Sequence, residues 1–235
     1  MFKSLAFLLI LTFTLMIATL SLSFPTSQLS ADELISSTIE RRATSPFTKL
    51  ISNKSVFTYY WVANEVDHKS NSVVTLKDCK KRTVATVNRD FAIEMKTEGS
   101  GRGKSGDVFN FDDCSCGSSF NCFVRLDKKK FPFGLAANGN ALRPFITVAA
   151  NDLRPGQLLF IPALVDLALP GGKRHNGCVI VEDRGHGFGG KHIDFFVASE
   201  STYKTLDKQK SITNVQVFDG TASDGKKCTL QNYTV

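Results

Sequence analysis

The sequence predicts an all-β fold, a small barrel or sandwich with one short helix, held together by disulfides. Three observations predict it: β-branched and aromatic runs separated by turn residues, a scarcity of helical periodicity, and six cysteines in a chain of 235 residues. The expected strands fall at residues 57–62, 83–87, 145–148, 158–161, 179–181, 192–197 and 214–218. The run at 57–62 is aromatic and β-branched, that at 83–87 alternates, and the others are short β-prone runs bounded by turn residues. The expected helix covers residues 199–208, where Ser199 supplies a cap and Glu200 stands just inside the first turn. No repeat and no interdomain linker interrupts the chain, so residues 43–235 read as one domain. With 42% hydrophobic and 22% charged residues the composition supports a core and excludes disordered, collagenous and low-complexity classes.

The segment before that domain reads as processing signals. Lys3 precedes an apolar run over residues 5–20, and the small residues Ser21 and Ser23 offer cleavage before Phe24, which makes residues 1–23 a secretory signal peptide. Residues 24–42 are polar and end in Arg41-Arg42, the pattern of a short propeptide cut after a dibasic pair. The mature protein is therefore expected to be extracellular, monomeric and without a stable membrane anchor. In that compartment the even set Cys79, Cys114, Cys116, Cys122, Cys178 and Cys228 reads as disulfides, with the pairing left open. The spacing of Cys114-Ser-Cys116 with Cys122 does not fit a structural zinc site, so no metal and no cofactor are expected. Asn53-Lys-Ser and Asn232-Tyr-Thr are N-glycosylation acceptor sequons, which suit secretion.

A net charge of +7 could signal nucleic acid, but the lysines are scattered and the chain is read as secreted; an anionic wall or membrane surface fits better. Two glycine-rich stretches resemble phosphate-binding loops and are rejected. In the run over residues 99–106 the position where the phosphate loop needs its first Gly holds Glu98, and the run over residues 185–190 leads into a strand rather than a helix.

The chemistry lies around that second run, in Glu182-Asp-Arg-Gly-His-Gly-Phe-Gly-Gly-Lys-His-Ile-Asp194. Side chains alternate along a strand, so His192 and Asp194 share one face while Ile193 and Phe195 take the other. Asp183 ends the preceding strand, and the glycines between let the chain double back, so two carboxylates and an imidazole can meet at one sheet end. A carboxyl crowded by a like charge and partly desolvated keeps its proton to higher pH, which suits acid/base work on a glycosidic bond. The alternative is that Asp183 only caps the turn and His192 only packs.

These residues resemble the signature of the three-aspartate domain, a double-psi β-barrel family found in lytic transglycosylases and in secreted bacterial and fungal relatives. Asp183-Arg-Gly followed by Gly-Lys191 and His192-Ile-Asp194 carries the likeness, with Leu142-Arg-Pro-Phe-Ile-Thr-Val-Ala149 and Leu169-Pro-Gly…His175-Asn-Gly-Cys178 supporting it. The resemblance implies a six-stranded double-psi barrel with loop insertions and an enzyme that cleaves cell-wall glycan, lytic-transglycosylase-like or glycosidase-like. It implies Asp194 as the acid/base, protonating the glycosidic oxygen and then drawing a proton from the sugar's own C6 hydroxyl, with Asp183 orienting it. Asn151 takes the place of the family's first aspartate, with Asp152 beside it, and His186 stands where small residues are usual. His192, Lys191, Asn151 and the aromatic run Tyr59-Tyr60-Trp61 are the substrate-binding candidates, for a polysaccharide such as peptidoglycan, chitin or glucan. The competing readings are a non-catalytic expansin-like binding barrel and a secreted effector.

Overall fold

The computed structural model describes residues 47–112, 114 and 119–233. The expected signal peptide and propeptide, residues 1–42, lie outside the described residues, as does Cys116. In chain order the elements are β1 (Leu50–Tyr60), β2 (Ala63–Asn64), β3 (Val73–Lys77), β4 (Thr83–Asn88), α1 (Arg89–Glu98), β5 (Ser100–Arg102) and β6 (Val108–Phe111). They continue with β7 (Phe123–Leu126), β8 (Thr147–Ala149), β9 (Leu158–Phe160), β10 (Cys178–Asp183), β11 (His192–Phe196), α2 (Glu200–Gln209) and β12 (Asn214–Asp219). The fold is mostly β, as expected, with two α-helices among the described residues rather than one.

Six strands close on themselves in the order β1-β11-β8-β10-β9-β12. The period-two pattern fills the interior: Val179 and Val181 from β10, Ile193 and Phe195 from β11, and Val215 and Val217 from β12 are all buried in one cluster with Phe57, Val148 and Leu159. Closure removes the unpaired sheet edges that would otherwise invite pairing with another chain. The predicted helix appears as α2, one residue later than expected, with the Ser199 hydroxyl accepting from the Thr202 N–H.

Residues between β1 and β8 form a second layer, a four-stranded sheet β2-β5-β6-β7 beside the hairpin β3-β4. Helix α1 packs here, burying Phe91, Ala92 and Met95 with Ala63, Leu76, Phe109 and Phe123. Asn88 caps it by accepting from the N–H groups of Asp90 and Phe91, and Gly99, at φ 82°, ends it in the left-handed conformation that glycine adopts without a Cβ clash. The glycine-rich run after Glu98 thus begins as a helix stop and continues as β5, consistent with its rejection as a phosphate loop.

Cys178 and Cys228 are disulfide-bonded across 50 residues. Cys79, Cys114 and Cys122 bring their sulfurs together, with Cys114 at bonding distance from both of the others. His175, in the segment leading to Cys178, is buried; its Nε2 donates to the Phe145 carbonyl while Nδ1 accepts from the Gly177 N–H. Burial lowers its pKa to about 4, so it is a neutral packing residue. Asn53 and Asn232, in the two acceptor sequons, are both exposed.

Candidate active site

The two aspartates are brought together by the short strand β8. It pairs with β10 on one side and β11 on the other, and Ala149 is in register with both Asp183 and Asp194. Their backbones therefore lie two strand spacings apart, roughly 10 Å, across a residue too small to fill the space between them. Both carboxylates line a cleft of about 410 Å³ whose other wall comes from the second layer, through Glu98, Asn110 and Phe111.

The carboxylates are held differently. Asp183 accepts three hydrogen bonds: from the Tyr60 hydroxyl at 2.9 Å, the Ala137 N–H at 2.9 Å and the Arg184 N–H at 2.9 Å. Burial raises its pKa above the ordinary carboxylate value, and these donors offset only part of that rise. Tyr60 is itself buried beside this carboxylate, which drives its phenol pKa far up and keeps it a donor. Among the described residues Asp194 accepts one hydrogen bond, from the Thr58 hydroxyl at 2.7 Å. Burial, opposed by that hydroxyl and helped by the charge of Asp183, pushes its pKa up to about 6. Of the two, Asp194 has the fewer donors and the more strongly raised pKa.

The loop that reaches Asp183 is anchored from beneath. Glu182, buried, accepts from Arg143 at 2.9 and 3.1 Å and from Thr147 at 2.7 Å, and its carbonyl accepts from the Asn138 N–H. Ala137 is thereby fixed where its N–H meets Asp183.

His192 shares the Asp194 face, as the alternation required. Its Nε2 lies 2.7 Å from Thr58 Oγ1, so one hydroxyl bridges imidazole and carboxylate, and the ring stacks on Phe188 at 3.9 Å. Desolvation lowers its pKa. His186 lines the cleft directly.

The other candidates separate. Tyr60 lines the cleft, but Tyr59 points with Phe57 toward the barrel core and meets Phe195, because neighbours on a strand face opposite ways. Burial and Asp207 raise its pKa to about 12. Trp61 stacks on Tyr203 at 5.2 Å and donates from Nε1 to Glu94, so the three aromatics do not form one sugar platform. Asn151 is not free for substrate: its amide donates to the carbonyls of Gly185 and Phe188 at 2.8 and 2.7 Å and accepts from the Gly185 N–H at 3.1 Å. Lys191 has an exposed side chain and a backbone N–H that donates to Asp152, so it shapes the turn outside the cleft.

Two residues of the site were not singled out from the sequence. Thr58 is one, identified only by its register opposite Asp194. Glu98 is the other. It ends α1, lines the cleft, and accepts from the Trp61 N–H at 3.1 Å. Burial and the charges of Asp194, Glu94 and Glu200 push its pKa to about 7, against the Trp61 bond.

No family model and no curated protein matches the chain. Among solved structures, MltA of E. coli with bound chitohexaose aligns over 71% of each chain at 14% identity and a TM-score of 0.49. The chain is similar to a lytic transglycosylase. A further E. coli MltA structure, described as a unique lytic transglycosylase fold, aligns over 69% of this chain and 70% of its own at 14% identity and TM-score 0.40. A substituted E. coli MltA in an apo form aligns over 71% of each chain at 14% identity and TM-score 0.38.

Proposed function

We propose that the protein is a secreted enzyme that cleaves glycosidic bonds of cell-wall polysaccharide, lytic-transglycosylase-like or glycosidase-like, with Asp194 as its acid/base. The observation that carries this reading is the unequal pair in one cleft: Asp183 with three donors and Asp194 with one, flanking Ala149. A glycosidic oxygen leaves readily only when protonated, and the sugar carbon it leaves becomes positive. Asp194 exchanges the proton with the reacting oxygens, and the Asp183 carboxylate, held in place by hydrogen bonds from Tyr60, Ala137 and Arg184, stabilises the positive centre. His192 stacks against Phe188 and orients Asp194 through Thr58.

We assign the six-stranded ring the double-psi topology, and the substrate to the class of peptidoglycan, chitin or glucan. Extracellular location and a monomeric mature chain belong to the same proposal and rest on the leader and the cysteine set. The test is mass spectrometry of products after incubation of the mature protein with purified walls. Fragments one water lighter than hydrolysis products select transglycosylation, and ordinary reducing ends select hydrolysis. Retained binding without any fragments refutes the enzyme reading and selects a binding barrel of the expansin-like kind.

A further inference from the structure

We infer that Glu98 is a second proton-transfer residue of the cleft, giving its proton to the departing sugar oxygen while Asp194 takes one from an attacking water. The inference rests on the glycosidic reading above. It decides what that reading leaves open, the identity of the nucleophile.

Glu98 comes from α1 in the second layer and Asp194 from β11 in the barrel, so the cleft that both line carries a carboxyl from each of its two walls. A pair of carboxyls flanking the scissile bond is the arrangement by which glycoside hydrolases divide the donating and accepting of protons. The Glu98 side chain is oriented by the chain that leads out of β1: Oε2 accepts from the Trp61 N–H, directly after the Tyr60 that serves Asp183. Oε1 makes no hydrogen bond among the described residues and is left to carry a proton.

Its surroundings keep that proton on Glu98. It is the last residue of α1, where the negative end of the helix disfavours a carboxylate. Asp194, Glu94 and Glu200 add negative charge around it, and burial acts in the same direction. Glu94 does not compete for the role, because its oxygens are taken by Trp61 Nε1 and His68 Nε2. Asp194, with the Thr58 hydroxyl donating to it, is the member of the pair that ionises first.

The step balances. The Glu98 carboxylic acid protonates the bridging oxygen as its bond to the sugar C1 breaks. A water oxygen bonds to C1, and its proton passes to the Asp194 carboxylate. Two hydroxyl-terminated sugars leave, the proton of the pair has moved from Glu98 to Asp194, and exchange with solvent restores it.

The experiment compares the full mature chain with its Glu98→Gln and Asp194→Asn variants on two substrates, purified wall glycan and a dinitrophenyl chito-oligosaccharide whose leaving group needs no proton. Glu98→Gln is expected to lose about 10²- to 10⁴-fold on wall glycan yet release dinitrophenolate within a few-fold of the parent, whereas Asp194→Asn loses both. In ¹⁸O-enriched water each new reducing end from the parent should carry the label. Wall cleavage by Glu98→Gln at the parent rate, equal loss on both substrates, or unlabelled anhydro products from the parent each overturn the role of Glu98 while leaving the cleavage reading in place. A parent that cleaves no glycan overturns both. If Glu98→Gln fails to fold, as read by its melting transition, the label in the parent's products decides alone.

Discussion

Asp194→Asn should do two things at once: remove glycan cleavage and stabilise the fold at neutral pH. The amide matches the carboxyl in shape and still accepts from Thr58, but it neither delivers nor takes a proton, so turnover should fall by about 10²- to 10⁴-fold. The stability effect follows from the raised pKa. A carboxyl that moves from 3.8 unfolded to about 6 folded binds its proton more tightly in the native state. Its contribution is therefore fully present below pH 4 and is lost as pH rises through 6, leaving a cost of roughly 3 kcal/mol at pH 7. The amide has no charge to bury and does not incur that cost. Removing the charge also relieves Glu98, which Asp194 crowds, so the second effect has the same sign. The gap between variant and parent should accordingly be small at pH 4 and widen by about 3 kcal/mol at pH 7, equivalent to a melting-temperature difference of about 6–12 °C in a unit of this size. Thermal and urea unfolding at pH 4, 5.5 and 7 measures it. Parallel stability curves for the two proteins, or a gap that narrows as pH rises, would refute the raised pKa of Asp194 and with it the cost of burying its charge.

Thr58→Val removes the one donor that favours ionised Asp194 and should move the corresponding limb of the pH–rate profile up by about one pH unit, whereas Asp183→Asn removes a neighbouring charge and should move it down. Opposite displacements in the two profiles are the signature; shifts of the same sign would contradict it. Replacing Cys178 and Cys228 together by Ser should cost about 4 kcal/mol in chemical denaturation, the chain-entropy value for a crosslink spanning 50 residues. Asn151→Asp should destabilise by about 2 kcal/mol and increase amide hydrogen exchange in residues 184–190, because a carboxylate cannot donate to the carbonyls of Gly185 and Phe188.

The barrel strands were legible because they bury one face. Over residues 192–195 and 214–217 apolar and polar residues alternate, and the interior that this predicts is formed by Ile193, Phe195, Val215 and Val217, joined by Val179 from the wholly apolar run at 179–181. The second layer was far less legible. Its strands β2, β5, β6 and β7 span two to four residues each, too short for period two to stand above noise. Helix α1 had signals that could have found it: Asn88 before the first turn, Phe91, Ala92 and Met95 on one face, and Gly99 after Glu98. They were masked by the β-branched run over residues 83–87 that leads straight into the cap and by the pull of the following glycines toward a loop reading.

The site shows the same division between what neighbours in sequence and what only neighbours in space. Asp183 and Asp194 lie on either side of one glycine-rich turn, so local reasoning could bring them to one sheet end. The reason they differ is not local: the donors to Asp183 come from Tyr60 and Ala137 as well as its own successor, and the donor to Asp194 comes from Thr58, more than a hundred residues away in β1. Those partners exist because β1 runs parallel to β11, placing Thr58 beside Asp194. Asn151 shows the converse. An aspartate at that position would fit the family pattern, yet here the side chain must offer two donors to loop carbonyls and an acceptor to Gly185, which an amide does and a carboxylate does not. Asn151 therefore serves the turn and not the proton chemistry: its amide fastens the loop that joins Asp183 to Asp194, and the further cleft carboxyls, Glu98 and Asp112, come from a different layer of the fold.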